Sequence, residues 1–359
     1  MGHFLSREHT VELAIDRLFR RRRTTGRWPK KFGDDATAET LSFAFALTEV
    51  HKRLLPKARA KLEQRLYGSL KGSGSLAPIV HEMTVAVHLM TRGWDVEFHD
   101  LEEGQGFDYL AKNGAEEIEV ECKRASADAG RRVHRDDFGR FAGPLLPALQ
   151  RFAHRGAADI VHLRVKDRLP SRDQDLSRLR DVVLGAMDTA TAANGNDFTV
   201  DMLRVGLSRP FNVGEAVMRQ EVEHHLGTAH YHLLYAGRGA ELAVLAITSE
   251  EQDRVLTYIY KQLKHAAEQF SRHRPAVVWT YIEGIEPQEW GGLVGDTGLQ
   301  RMSNRYMLGE RRQHIFSMAY SSAGVVVSHG GGHFLHGGPL LQYSRQGPRD
   351  AKLTHMLYG

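Results

Sequence analysis

The chain has 359 residues, 42% of them hydrophobic and 26% charged, the balance of a folded globular protein rather than of a disordered or fibrous one. A single cysteine, Cys122, excludes an internal disulfide and a cysteine-rich zinc site; no apolar run reaches membrane-spanning length and the opening MGHFLSREHT holds no apolar signal core, so a cytoplasmic protein making no membrane contact is expected. The net charge is only +4, but a pI of about 9.1 permits a polyanionic partner.

Val11, Ala14, Ile15, Leu18 and Phe19 recur at helical spacing over residues 7–23. Arg20, Arg21, Arg22 and Arg23 would close that helix, where cations complement its dipole, and Trp28, Lys30 and Lys31 come soon after. Such a cluster can neutralise phosphates and stack a base on the indole; it equally fits a solvated helix end. A second helical stretch is expected over 36–67, carrying Leu41, Phe45, Leu47, Leu54, Leu55, Leu62 and Leu66, before glycine and serine break the pattern at 68–75. Residues 1–75 therefore read as an N-terminal helical region joined by a linker to the rest of the chain.

From Pro78 to Thr91, Ile79, Val80, Met83, Val87 and Met90 repeat at helical spacing, with proline suited to the first turn and Gly93 to the exit. Strand-like runs succeed it at 94–99, 107–112 and 118–123, the last two joined by Asn113-Gly114, a hairpin signal. A charged loop to Arg140, helices over 141–155 and 171–193, and strands at 158–165, 198–207, 231–235 and 242–247 fill an accessory region, 130–249. A long helix over 250–271 then leads into a strand at 276–282, and the chain closes with Val325-Val326-Val327 and a glycine- and histidine-rich stretch. The predicted class is α/β throughout.

The chemistry concentrates on the hairpin. Side chains at i and i+2 of a strand share a face, so Glu121 and Lys123 lie together with Glu119 flanking them, while Cys122 points to the opposite, apolar face as a core residue rather than a nucleophile. Counting outward from a turn at Asn113-Gly114 sets Asp108 opposite Glu119, within short reach of Glu121. Apposed carboxylates repel, and a hard divalent cation with oxygen ligands removes the conflict, so the arrangement asks for magnesium. The nearby lysine would stabilise charge building on a phosphate and orient or deprotonate the attacking water.

The order of Glu82 in a helix, Asp108 in a second strand and Glu121-Cys122-Lys123 in a third resembles the PD-(D/E)xK, restriction-endonuclease-like nuclease superfamily. The likeness covers residues 78–124, and the proline common before the aspartate is replaced, the sequence reading Gly106-Phe107-Asp108. The resemblance implies a central mixed sheet flanked by helices, with magnesium (or manganese in its place) held by Asp108, Glu121 and the Cys122 carbonyl, support from Glu82, and Lys123 serving the attacking water. It also implies a further helix and strand, for which 250–282 is preferred to 141–165; residues 250–359 would then complete a core begun at 76–129, with 130–249 inserted. Arg124, Lys261, Lys264 and Gln269 become candidates for phosphate or water contacts, against the alternative of a solvated helix face.

His329-Gly330-Gly331-Gly332-His333-Phe334-Leu335-His336 invites a metal or phosphate reading, but without a carboxylate or cysteine at ligand spacing a turn between strands fits better. His224, His225, His230 and His232 stay open, and His81 is expected on a helix surface. Neither a phosphate-binding G-x-x-x-x-G-K-S/T loop nor a G-x-S-x-G elbow occurs, so a motor or a recognition module would come from a partner subunit. The resemblance thus points to a DNA endonuclease cutting double-stranded DNA, working as a homodimer or larger assembly, with bacterial defence or restriction as its setting. The rival expectation is a catalytically inactive nucleic-acid-binding or assembly module of the same fold.

Overall fold

The computed structural model describes residues 10–26, 35–71, 75–104, 106–155, 157–206, 222–227, 230–238, 241–285, 290, 292–293, 298–322, 326–329, 333–336 and 340–359. Trp28, Lys30 and Lys31 lie outside the described residues, as do Gly330, Gly331 and Gly332.

The chain opens with helices α1 (Thr10–Thr25), α2 (Asp35–Arg53), α3 (Pro56–Lys71) and α4 (Ala77–Thr91). Where one helix is expected over 36–67 there are two, because Pro56 has no N–H to donate and crowds the residue before it out of the helical conformation. α3 then runs on through Gly68 to Lys71. Next come β1 (Asp95–Phe98), the one-turn α5 (His99–Glu102), β2 (Tyr109–Asn113) and β3 (Glu116–Ser126).

Residues 128–255 form one compact unit. It holds α6 (Arg135–Ala142), α7 (Leu146–Phe152), β4 (His154–Arg155), β5 (Ala157–Val165), α8 (Asp173–Thr189), β6 (Ala193–Asn194), β7 (Phe198–Gly206), β8 (His232–Arg238) and β9 (Glu241–Ser249). α6 occupies part of the expected charged loop, since Phe138 and Phe141 give it a face to bury. The sheet runs β4-β9-β5-β7-β6, with β8 also paired to β9. β5 and β9 pair in parallel and are buried along nearly their whole length, as strands covered on both faces are. The two ends of the unit are fastened to each other: Arg254 N–H donates to the Gly130 carbonyl at 2.7 Å and Arg132 N–H to Asp253 Oδ1 at 2.8 Å. A methyl group on Gly130 would stand 2.5 Å from the Val255 Cα, so Gly130→Ala is expected to destabilise this unit by roughly 1–3 kcal/mol, read from its urea-unfolding midpoint.

The chain on either side of that unit, from α1 through β3 and from residue 256 onward, makes up the other compact unit. Its second part contributes α9 (Val255–Leu263), α10 (Ala266–Gln269), β10 (Ala276–Glu283), α11 (Leu299–Met307), β11 (Ile315–Ser321), β12 (Val326–His329), β13 (His333–His336), β14 (Leu341–Ser344) and α12 (Pro348–Tyr358). The single helix expected over 250–271 begins later, at Val255, and is interrupted at Lys264 and His265. Neither glycine nor proline marks the interruption, and the buried Ile259, Leu263, Ala266, Ala267 and Phe270 keep a helical spacing across it.

Among the described residues this unit has a six-stranded mixed sheet ordered β1-β2-β3-β10-β11-β14. β1, β2 and β3 are antiparallel, and β10 and β11 then continue parallel to β3. It is β10, not the strand at 157–165, that extends this sheet beyond β3. Alternation places Ile118 and Val120 of β3 on one face, where they join Phe43, Val50 and Leu62 of α2 and α3, Met83 and Leu89 of α4, Phe98, Tyr109, Trp279 and Leu353 in one apolar cluster. Fully burying each large side chain of this kind is worth about 1.5–3 kcal/mol, so the helices before residue 75 are held by the same core that fixes β3. The protein is α/β, with mixed sheets flanked by helices. Among the described residues no helix is long and apolar enough to cross a membrane.

Candidate functional site

With one face of β3 taken up by the core, the other carries Glu119, Glu121 and Lys123. What stands across from them depends on the hairpin turn. Asn113 pairs with Glu116, so the turn residues are Gly114 and Ala115 rather than Asn113 and Gly114. Gly114 takes φ +59° and Ala115 stays out of the positive-φ region, as in a turn with glycine at its first central position. The register moves accordingly: Leu110 faces Glu119 and Tyr109 faces Val120, the last pair of the ladder, so Asp108, just before β2, comes next to the Glu121 end of β3 rather than opposite Glu119.

Asp108 is turned onto β3. Its Oδ2 accepts the backbone N–H of Cys122 at 2.6 Å, and its own carbonyl accepts the His99 N–H at 2.9 Å. The approach is made by Gly106 at φ +92°, a conformation costly for any residue with a Cβ. On the same face the Lys123 ammonium donates to Glu121 Oε1 and to Gln269 Oε1, while Gln269 Nε2 donates to the Gly106 carbonyl at 3.4 Å. Gln269, on α10, thus ties the lysine to the loop that leads into Asp108. Glu121 is only 2% exposed and its second oxygen, Oε2, has no hydrogen-bond partner among the described residues. Thr280 of β10, the register neighbour of Lys123, also buries a hydroxyl without a partner.

Glu82 comes from α4, where both its oxygens accept Arg65 Nη2, at 2.7 and 2.8 Å. The other arm of that guanidinium, Nη1, donates to Asp100 Oδ2 on α5 at 3.0 Å. Neither Arg65 nor Asp100 is singled out by sequence spacing: the arginine is one of several cations on α3, and the aspartate sits in an acidic run.

Burial dominates the electrostatics. It pushes Glu121 up to about 8, with repulsion from Asp108 adding to it and Lys123 opposing. It raises Glu82 to about 7, Asp108 again contributing, and Asp108 to about 6 against the stabilising Cys122 N–H. Three carboxylates are held above their ordinary range and one keeps an orphaned oxygen, so their charge can be neutralised either by protons or by a bound cation. The donor set is hard oxygen, which fits magnesium and not a thiophilic metal. Among the described residues no three His, Cys, Asp or Glu side chains group to hold a metal ion, so a cation here would draw on two carboxylates with backbone oxygen and water, the kind of coordination magnesium favours.

The other expected residues sit elsewhere. Glu119, fully buried, is consumed by structure: Ser271 N–H donates to its Oε2 at 2.8 Å, the Ser271 hydroxyl to its Oε1, and Arg274 stands 3.4 Å away. Arg124 pairs with Glu283. Lys261 and Lys264 are exposed, the Lys261 ammonium 5.9 Å from the Tyr258 ring centroid. Arg20, Arg21, Arg22 and Arg23 are exposed at the end of α1, with Arg20 paired to Asp16 at 2.7 Å. Cys122 packs against the core cluster and its thiol is raised well above the usual range by burial. His81 is buried rather than on a helix surface: α4 turns it onto β10, its Nε2 lies 3.2 Å from the Trp279 carbonyl, and burial lowers it to about 4. No family model, no curated protein and no solved structure matches this chain, and its site is read from its own geometry.

Proposed function

We propose that the chain is a magnesium-dependent nuclease that hydrolyses phosphodiester bonds, with Asp108, Glu121 and Lys123 at the reacting centre and Glu82 in support. The observation that carries this reading is the Asp108 carboxylate on the amide of Cys122, the residue between Glu121 and Lys123, which are joined on one strand face. The succession α4, β1, β2, β3, then α9 and α10 and a parallel β10, supports a restriction-endonuclease-like core within residues 76–129 and 250–359.

Asp108, Glu121 and the Cys122 carbonyl would hold magnesium, with manganese able to substitute, and the ion would supply charge neutralisation at the phosphate and a more acidic water. Lys123, steered by Glu121 and Gln269, orients the attacking water and counters charge on the phosphate oxygens. The exposed Arg20 to Arg23 run is suited to the duplex backbone, whose negative charge such a run neutralises. Double-stranded DNA as substrate, a homodimer, a partner subunit for recognition, and a cytoplasmic role in bacterial defence complete the proposal. A second reading, a silent nucleic-acid-binding module, draws on the same network: Lys123 and Glu82 are already paired, as they would be in a scaffold.

Purified protein incubated with supercoiled plasmid and linear DNA separates the two. Cleavage in magnesium or manganese, none in EDTA, and none by Lys123→Ala is the expected result. DNA retention without cleavage supports the silent module, and cleavage that persists in EDTA or in Lys123→Ala overturns the site.

A further inference from the structure

Arg65 is part of this site, although it lies on α3, outside the strands that carry the chemistry. Its guanidinium stands between Glu82 and Asp100, touching both oxygens of the first at 2.7 and 2.8 Å and one of the second at 3.0 Å. Asp100 adds in turn to the field felt by Asp108 and by Glu82. Lys61, one turn earlier on α3, stands beside Gly104, and no ion pair joins it to any described residue.

The charges can be balanced. When ionised, Glu82, Asp100, Asp108 and Glu121 carry four negative charges, against one positive charge each on Arg65 and Lys123. Among the groups in direct contact two negative charges are left, the complement of one divalent cation, with Lys61 acting on Asp100 only from a greater distance. They are also spatially divided: Glu82 and Asp100 are already satisfied by a planar fork with fixed donors, whereas Glu121 keeps a buried oxygen without a partner. Carboxylate-rich phosphodiesterase centres can take two metal ions.

We propose that the Arg65 guanidinium takes the place of a second divalent cation between Glu82 and Asp100, making this a site for a single metal ion at Asp108 and Glu121. The inference rests on the nuclease reading for the identity of that ion, but not for the role of Arg65. Arginine stays charged at every working pH and cannot be chelated, so Arg65 and Lys123 together build half of the counter-charge into the fold and only half depends on metal supply. Arg65 is a positioning residue, holding Glu82 and Asp100 through contacts of its own.

Manganese titration of the full chain, with the unbound ion followed by its paramagnetic resonance signal, tests this without reference to activity. The wild type is expected to bind a single manganese ion. Arg65→Gln, which keeps a polar side chain but is shorter and loses the charge and the forked contacts to Glu82 and Asp100, is expected to bind a second, and Arg65→Lys, which restores the charge, to return to one. Adding Asp100→Asn to Arg65→Gln removes the surplus negative charge and is expected to abolish the second ion. Two ions in the wild type, or one in Arg65→Gln with its folded circular-dichroism spectrum intact, overturns the role given to Arg65 and leaves the nuclease site standing. No ion in the wild type overturns both.

Discussion

Asp108→Asn is expected to slow DNA cleavage by about 10²–10³-fold at saturating magnesium, the scale on which losing one preorganised electrostatic group acts. The substitution is chosen because it separates charge from structure. Asp108 Oδ2 accepts the Cys122 N–H at 2.6 Å, and an amide oxygen in that place accepts the same bond, so strand register and fold are retained. The negative charge that would hold a cation together with Glu121 is lost. Initial rates of plasmid relaxation and linearisation, with thermal melting alongside, measure both halves: the melting temperature should stay within a few degrees, roughly the effect of 1 kcal/mol or less. A variant that melts normally and cuts at the wild-type rate would remove Asp108 from the reacting centre.

The contrast with Glu119 shows why the prediction is specific. Both acids share the strand face of Lys123, and sequence parity alone treats them as neighbours of the same kind. Glu119, however, is closed off by Ser271 and Arg274, while Glu121 feels the Asp108 charge and keeps a buried oxygen without a hydrogen-bond partner among the described residues. The difference originates in the hairpin turn. Asn-Gly normally supplies both central residues of a tight turn; here glycine takes the first central position and alanine the second, which moves every cross-strand pair.

Periodicity made the strands, α4 and the shared face of Glu121 and Lys123 legible in the sequence, because burial on one side imposes its repeat directly on the chain. Gln269 was legible as a residue of interest on a late helix, but the closeness of that helix to the hairpin is a product of the parallel pairing of β10 with β3, which local pattern does not encode. Arg65 and Asp100 were out of reach for the same reason: a guanidinium joining α3 to α4 and α5 leaves no spacing to detect. His81 misled because a polar side chain on an amphipathic helix is normally solvated, whereas α4 is covered on nearly all sides and the ring is turned onto the Trp279 carbonyl. Likewise the split of the 250–271 helix is invisible because the apolar spacing passes through it.

Glu121→Gln is expected to make the metal-free protein more stable at pH 8, by an amount on the order of a few kcal/mol, while costing it cation affinity. Burial, with Asp108 adding to it, lifts the Glu121 carboxyl from 4.5 to about 8. Between those values the folded chain keeps a proton that the unfolded chain has released, so the unfolded state binds fewer protons and folding loses stability as the pH rises. Asp108, raised to about 6, and Glu82, raised to about 7, act in the same direction over the lower part of the window. The contribution is fully present below about pH 4, where both states are protonated, and gone above about pH 8. Glutamine stays neutral throughout and its oxygen still accepts the Lys123 ammonium, so the variant's urea midpoint should fall less between pH 5 and pH 8 than that of the wild type. Magnesium, by compensating the ionised carboxylates, should restore the wild type at pH 8 and do much less for Glu121→Gln. A wild-type midpoint that rises from pH 5 to pH 8 in EDTA would mean that these acids are ionised and already compensated by Lys123 and Arg65, and the demand for a cation would disappear.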